Sequence, residues 1–257
     1  MEPLRAIALG WGVQSFGLCA LSAEGKLPPI DFAVFADTTY EAAATYRYIE
    51  RYTPWLEERG IDVRTVVDDS VTAPDKHVDE WGAIFIPAFT KHRDSHEPAG
   101  PLRRQCTGAW KIDPIRRLLQ KERERGQKCE MWLGITLDEV TRVKPSNVQY
   151  VTNIFPYIDA LGWSRGDVVN YLSKLGIEPP PKSACVFCPY RSESSMKKIQ
   201  QDPDDWEMAV NMDEAIREKR RGFLSYVRRE LVPLKDMDFD NGQMEMFEEE
   251  CEGYCGL

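Results

Sequence analysis

Short apolar runs and amphipathic stretches alternate through the first half of the chain. Residues 6–9, 30–36 and 61–67 have the length and composition of buried strands. A helix is expected to open at Gln14, and a second, kinked by Pro54, is expected over residues 40–58. This βαβαβ order predicts an α/β fold with a Rossmann-like, mostly parallel sheet and helices on both faces.

The second half is less regular. Another apolar strand is predicted at residues 131–135, and a helix is predicted at 165–174, with Ser164 as its N-cap. The remaining predictions are a short strand at 84–87, a polar loop at 91–100, a basic helix within 101–127, and helices at 193–201 and 204–229. We therefore predict a nucleotide-binding domain with a cysteine site over residues 1–195, followed by a helical extension and acidic tail over 196–257.

Composition restricts the location and the partners. The 257 residues carry a net charge of −9, which argues against a broad nucleic-acid surface but leaves room for a local basic groove. No apolar run reaches the roughly 18 residues of a membrane span, and the start lacks the apolar core of a signal peptide. The sequence therefore predicts a cytoplasmic protein with no membrane association.

The turn after the first strand has the form of an anion site. Gly10 and Gly12 allow a tight turn, and Gln14 and Ser15 would open the following helix, whose free N–H groups and dipole attract anions. A purely structural glycine turn is the alternative. Asp37, at the end of the second strand, either contacts a nucleotide or Mg²⁺ across the crevice or serves as a turn or cap residue.

The cysteine pattern indicates metal or redox chemistry more than disulfides. There are seven cysteines and no export signal. Cys185 and Cys188 form a C-x-x-C pair that can chelate a soft metal or a cluster, and Cys106 is the third expected ligand. The fourth position is either open or filled by Cys255. An iron–sulfur cluster, zinc and the absence of metal all remain open, because the spacing does not separate them.

Charged residues cluster around Cys106 and after the strand at 131–135. Arginine binds phosphate bidentately, so this cluster favours an anionic substrate, although each charge alone could be solvated. Two acids that follow the strand end can face the same crevice. The residues expected to contact substrate or phosphate are Arg103, Arg104, Lys111, Asp138, Glu139 and Arg142.

The order of these motifs resembles the adenine nucleotide alpha-hydrolase superfamily, in the branch shared by PP-loop ATP pyrophosphatases and PAPS-reductase-like proteins. The resemblance covers roughly residues 5–195 and rests on five motifs in the family's order. The first matches the family's pyrophosphate loop except that Gln14 replaces an acid and Trp11 replaces a glycine. The five matching runs are residues 10–15, residues 37–41, the run 104–107 with Lys111 and Pro114, Gly134 with Asp138, Glu139 and Arg142, and the closing Pro156, Trp163, Asp167 and Cys185-x-x-Cys188.

The resemblance implies a HUP-type fold and nucleotide-dependent sulfur transfer. ATP and Mg²⁺ would drive adenylation of an acceptor carbonyl, and sulfur would come from a [4Fe-4S] cluster on Cys106, Cys185 and Cys188. Ser15 and Asp37 would act in catalysis, and adenine would lie along Phe35, Ala36 and Asp37. The acceptor could be a nucleobase, tRNA or a small molecule; the sulfur donor is unnamed, and a homodimer is left open.

Two other functions remain open. A sulfonucleotide reductase would use PAPS or APS, with Cys255 or Cys251 of the C-terminal tail as the nucleophile. A non-catalytic nucleotide sensor is the other alternative, because Gln14 and Trp11 change the loop that usually holds the pyrophosphate.

Overall fold

A computed structural model describes residues 1–68 and 84–239 of the chain. The strands are β1 (Leu4–Ala8), β2 (Phe32–Asp37), β3 (Val63–Val67), β4 (Phe89–His92), β5 (Pro98–Pro101), β6 (Cys129–Trp132), β7 (Val151–Ile154) and β8 (Phe223–Tyr226). The helices are α1 (Val13–Ala23), α2 (Ala43–Glu57), α3 (Asp113–Glu122), α4 (Arg165–Lys174), α5 (Glu193–Gln200) and α6 (Pro203–Ile216).

The main sheet has five strands in the order β3-β2-β1-β6-β7, and all of its pairs are parallel. The predicted α/β class with a mostly parallel sheet is confirmed. The chain leaves β1 towards β2 on one side and enters β6 on the other, so a crevice opens beyond the carboxyl ends of β1 and β6. The register of β2 with β1 ends at Val34, whereas its register with β3 continues to Asp37.

Helices cover both faces of this sheet, as predicted. On one face, Ile7 and Phe35 pack with Phe16 of α1, Tyr48 of α2 and Leu172 of α4. On the other face, alternate residues of the same strands pack against α3, which contributes Ile115 and Leu119. Successive residues of each central strand point to opposite faces of the sheet, as expected for a strand that is buried on both faces.

A second, antiparallel sheet corrects three sequence predictions. Its order is β5-β4-β8. The strand expected at 84–87 lies instead at Phe89–His92, and the expected loop at 91–100 forms most of a hairpin with β5. The helix expected over 204–229 ends at Ile216, and residues 223–226 pair with β4, with Ser225 opposite Thr90. The C-terminal extension is therefore not wholly helical.

The other helices lie close to their predicted positions. α4 begins at a capping box in which Ser164 Oγ accepts from Asp167 N and Ser164 N donates to the Asp167 carboxylate. α3 begins only at Asp113, because a π-helical turn, Thr107–Ile112, precedes it. The prediction of a basic helix within 101–127 therefore holds only for its second part.

A second hydrophobic core surrounds the smaller sheet. It joins Ile86 and Trp110 to Met196, Met212 and Val227. Residues on both sides of position 195 thus share one core, and the domain boundary there stays a prediction. In the two described ranges, no helix is both long and apolar enough to span a membrane.

Candidate functional site

The turn between β1 and α1 is built differently from the expectation. Its left-handed residue is Trp11, with φ of 57°, whereas Gly12 has φ of −90° and ψ of 172°. The prediction that the glycines supply the positive φ is wrong. The Trp11 ring is buried and packs near Phe16 and Tyr48, at centroid distances of 5.9 and 6.4 Å. Its burial in the core anchors this unusual turn.

Ser15 ties the turn to the start of α1. Its Oγ accepts a hydrogen bond from Gly10 N at 3.1 Å and donates to Gly12 O at 3.3 Å. The first intrahelical bond runs from Phe16 N to Gly12 O, and no side chain caps the helix. Gly10, Gly12, Gln14 and Ser15 all line one cavity beyond the sheet. The start of α1 therefore faces this cavity with the positive end of its dipole.

Gln14 is held by the loop that follows β6. Its Nε2 donates to Glu139 at 2.9 Å, and the other oxygen of that carboxylate accepts from Arg142. Gln14 O also accepts from the Tyr157 hydroxyl at 2.8 Å. Glu139 and Arg142 line the cavity. The carboxylate in this corner of the cavity is thus supplied by the neighbouring loop, from position 139.

Gly134 lets the two loops approach each other closely. A Cβ atom there would lie 2.7 Å from Ser15 N and 2.8 Å from the carbonyl carbon of Gln14. Real Cβ atoms do not make such contacts with backbone, so glycine is required at this position. The loop after β6 and the start of α1 form one compact wall of the cavity.

Three thiols line the opposite wall. Cys106, Cys185 and Cys188 all belong to the cavity lining. Cys188 N donates to Cys185 O at 2.9 Å, which closes the C-x-x-C turn, and Cys106 N donates to Phe85 O at 2.8 Å. The Thr38 hydroxyl lies 3.2 Å from Cys185 Sγ. Burial, reinforced by the nearby charge of Glu41, raises the pKa of Cys185 to about 12, so this thiol is protonated in the absence of a cation.

Glu41 joins the segments that carry the thiols. Its carboxylate is fully buried and accepts from Lys111 Nζ at 3.4 Å and Ser183 Oγ at 3.2 Å. Its backbone forms an isolated antiparallel bridge with Cys185. Lys111 lies on the π-helical turn that follows Cys106, and Ser183 precedes the C-x-x-C turn. The Glu41 side chain therefore links these two segments.

Arg191 holds the C-x-x-C turn from the other side. The side chain is buried, and its guanidinium donates to Cys185 O at 2.9 Å, to Ala184 O, and to Ser195 Oγ at 2.8 Å. Its own carbonyl accepts from Arg228 at 2.8 Å. Thr38 and Glu41 lie in the run 37–41 that matches the family, but the sequence assigned no role to them or to Arg191, because their partners lie far away in sequence or are backbone carbonyls.

The remaining predicted site residues divide into two groups. Arg104, Lys111 and Arg142 line the cavity with Glu139. The others lie outside the lining. Arg103 is exposed, and Phe35 and Ala36 point into the cores on opposite faces of the sheet.

The two remaining predicted carboxylates bind groups of the protein itself. Asp37 accepts from Thr39 N at 2.7 Å and from the Tyr46 hydroxyl at 2.8 Å. Asp138 accepts from Arg165 N at 2.5 Å. In both places the carboxylate orders a turn or a helix start, which was the structural alternative for Asp37.

The donor set suits a soft metal or cluster in its chemistry. Cys106, Cys185 and Cys188 line one cavity, while Cys19 and Cys129 are buried in the cores of the sheet. Within residues 1–68 and 84–239, no three His, Cys, Asp or Glu side chains stand in a ligating arrangement. Binding would therefore require side-chain adjustment. Cys251 and Cys255 lie outside the described residues, so their roles stay predictions.

No family model and no curated protein matches the chain. Among solved structures, it is similar to the phosphate complex of phosphoadenylyl-sulfate (PAPS) reductase from Candida auris, with 12% identity over 70% of this chain and 76% of that one and a TM-score of 0.47. It is also similar to the U34-tRNA thiolase NcsA from Methanococcus maripaludis with its [4Fe-4S] cluster, with 15% identity, coverage of 82% and 71%, and a TM-score of 0.44. Identities this low leave the activity of this chain open.

Proposed function

We propose that this chain is an enzyme that activates an acceptor carbonyl with ATP and then replaces the activated oxygen with sulfide-level sulfur, which releases AMP. One observation carries the proposal: the start of α1, four cationic side chains and three thiols line the same cavity. A helix start and cations suit phosphate groups, whereas grouped thiols suit sulfur or metal chemistry. A cavity that served only to bind a nucleotide would have no use for the thiols.

The nucleotide phosphates would lie at the start of α1. The amides of Val13, Gln14 and Ser15 come before Phe16 N, which is the first intrahelical donor, so they point out of the start of the helix. The Ser15 hydroxyl fixes the turn that presents them. Adenine would lie along the end of β2, where the register with β1 has stopped at Val34 but the strand continues to Asp37. PAPS and APS also carry adenine and phosphate groups, so either nucleotide could take these same two positions instead of ATP.

The cations would stabilise charge during activation. An acceptor oxygen attacks the α-phosphorus of ATP, the bond to the β-phosphate oxygen breaks, and pyrophosphate leaves. Arg104, Lys111 and Arg142 line the cavity in which that charge would develop. Glu41 orients Lys111 and Glu139 orients Arg142, so these charges are in place before substrate binds. Glu139 is also the carboxylate available to Mg²⁺ that accompanies ATP.

The thiols would hold the sulfur-bearing group. Cys106, Cys185 and Cys188 would ligate a [4Fe-4S] cluster, which when bound would supply a sulfur site at its fourth iron; zinc is the alternative ion. Arg191 fixes the C-x-x-C turn through two carbonyls, and Thr38 orients the Cys185 thiol. Because burial raises the pKa of the Cys185 thiol, ligation of a cation would release the proton of this thiol.

Pyrophosphate release tests this proposal. Anaerobically purified protein is assayed with ATP, Mg²⁺, sulfide and a panel of nucleoside, tRNA and small-molecule acceptors. We expect acceptor-dependent pyrophosphate release together with thiolated product. Cys185→Ala should abolish the thiolated product while ATP binding remains, and the core variant Cys129→Ala serves as the matched control. Tight ATP binding without pyrophosphate release for any acceptor would contradict the proposal and favour a nucleotide sensor.

A further inference from the structure

A single buried arginine connects the C-x-x-C turn to the C-terminal part of the chain. Arg191 follows Cys188 by three residues and is 4% exposed. Its side chain donates through three different nitrogens: Nε to Cys185 O at 2.9 Å, one terminal nitrogen to Ala184 O, and the other to Ser195 Oγ at 2.8 Å. All three acceptors are uncharged, so the geometry of these hydrogen bonds sets the position of the guanidinium.

The backbone of Arg191 takes part in the same turn. Its N–H donates to Cys188 O at 3.1 Å, and Cys188 N donates to Cys185 O at 2.9 Å. Cys185 O therefore accepts from both Cys188 N and the guanidinium. The carbonyls of both cysteines are thus bound by one residue. Because these peptide groups are fixed, the directions in which the two thiol side chains leave the backbone are fixed as well.

The loop after β2 holds the opposite edge of the turn. Val186 N donates to Tyr40 O at 2.8 Å, and the Thr38 hydroxyl lies 3.2 Å from Cys185 Sγ. These contacts do not involve the guanidinium. A variant that loses the guanidinium should therefore loosen the turn on the carbonyl side without releasing it from the rest of the fold.

The C-terminal extension supports Arg191 at two points. Ser195, which accepts from the guanidinium, lies in the first turn of α5, and its own N–H donates to the helix cap Ser192 at 3.3 Å. Arg191 O accepts from Arg228 at 2.8 Å, and Arg228 follows β8 and is 6% exposed. The position of the thiol turn therefore depends on α5 and on the segment after β8. The sequence had instead placed the cysteine site within residues 1–195 alone.

We propose that Arg191 is a positioning residue of the thiol site: it orients the Cys185 and Cys188 thiols for a soft cation, and the C-terminal extension holds it in place. This inference rests on the proposed function, because it assigns a role beside the same thiols. Ligands that are already oriented lose less conformational freedom when the cation binds, so the affinity is higher. Loss of a group that orients a metal ligand typically lowers metal affinity by about 10–100-fold.

Cobalt(II) binding tests this role. The full chain is freed of metal with a chelator under anaerobic conditions, and Co²⁺ is titrated while the thiolate-to-cobalt charge-transfer absorption is followed. Arg191→Lys keeps the positive charge but removes the planar group that reaches three acceptors. Arg228→Lys weakens the support from the extension. Arg217→Lys is the matched control, because the Arg217 guanidinium is also largely buried but pairs with Asp213 of α6.

We expect Arg191→Lys to bind Co²⁺ about 10–100-fold more weakly than the wild type. Its charge-transfer absorption per bound cobalt should also be weaker, because fewer thiolates reach the ion. Arg228→Lys should bind Co²⁺ about threefold to tenfold more weakly, the effect of one lost hydrogen bond. Arg217→Lys should change the affinity by less than about twofold, since it acts at a separate site. Melting curves confirm that the three variants fold.

Equal Co²⁺ affinities and absorption in folded Arg191→Lys and Arg217→Lys would overturn the positioning role. If Arg191→Lys does not fold, an unchanged affinity in Arg228→Lys would overturn it. A wild type that binds Co²⁺ without charge-transfer absorption would overturn both this role and the proposed thiol site. The expected order of affinities in a protein that releases no pyrophosphate with any acceptor would refute the proposed reaction and leave the role of Arg191 intact.

Discussion

Gln14 and Glu139 show, at the scale of single residues, how the cavity differs from the family that the motifs resemble. That family keeps an acid at the position of Gln14, whereas here the amide donates to a carboxylate from the opposite loop. A carboxylate at both positions would bring two negative charges into hydrogen-bond contact. In this chain the acid of this corner belongs to the loop after β6, and Gln14 is the residue compatible with it.

Gln14→Glu tests this pairing. The variant replaces the donor with a second carboxylate, and we expect the free energy of unfolding to fall by about 1–3 kcal/mol at about pH 8. Repulsion raises the folded-state pKa of one carboxyl above its unfolded value, so the penalty is present at high pH, falls as that group protonates, and is lost at about pH 4, below the unfolded pKa of about 4.3. Urea unfolding at these two pH values measures it, with exposed Gln149→Glu as the control. A loss of stability independent of pH would contradict the pairing.

Several contacts of the site carry no signal in the sequence. Glu41 joins Lys111 and Ser183, which lie 70 and 142 residues away, and Thr38 meets Cys185 at a separation of 147. Sequence reasoning did predict Cys106, Cys185, Cys188 and the turn at Gly10–Ser15, because spacing and glycines are local. It could not predict partners that only the folded chain brings together.

At the scale of elements, the closest contact in the site is between the loop after β6 and the start of α1. Gly134 permits it, and the Tyr157 hydroxyl supports it by donating to Gln14 O. Together these contacts hold α1 at the edge of the crevice. The position of the helix start, and hence of the anion site, depends on the second half of the chain.

Gly134→Ala should separate these two elements. The added methyl group would overlap Ser15 N and the Gln14 carbonyl carbon, so we expect a loss of about 1–3 kcal/mol of stability and at least tenfold weaker ATP binding. Gly166→Ala, on the exposed side of α4, is the control and should stabilise by up to about 1 kcal/mol. Thermal melts and ATP titration measure both effects. Unchanged ATP affinity in Gly134→Ala would show that the two loops do not form one wall.

The small sheet marks the limit of element prediction from this sequence. Residues 223–226 follow a charged helical run, and no alternation of apolar and polar positions separates them from it. They become a strand because Gly222, at φ of 79°, turns the chain and β4 offers a pairing edge. The central parallel strands β1, β2 and β6 were predictable because burial on both faces gives each a short apolar run. The edge strand β7 contains two polar residues and was not predicted.

At the scale of the whole molecule, the cavity lies where the cores meet. The cores on the two faces of the parallel sheet support the turn after β1 and the loop after β6, and the core that contains Ile86, Trp110 and Val227 supports Cys106 and Cys185. Phosphate binding and thiol chemistry thus come from different parts of the fold. Glu41, in the loop after β2, connects them.

The central claim is that the three thiols of the cavity hold a metal cluster beside a nucleotide. Anaerobic purification of the full chain, followed by an absorption spectrum and counts of iron, acid-labile sulfide and zinc, tests it most directly. We predict about four irons and four sulfides per chain, from the [4Fe-4S] assignment, and loss of the colour in Cys106→Ala, Cys185→Ala and Cys188→Ala but not in Cys129→Ala. A colourless protein that holds zinc or no metal would contradict the iron–sulfur assignment and the sulfur-transfer mechanism built on it.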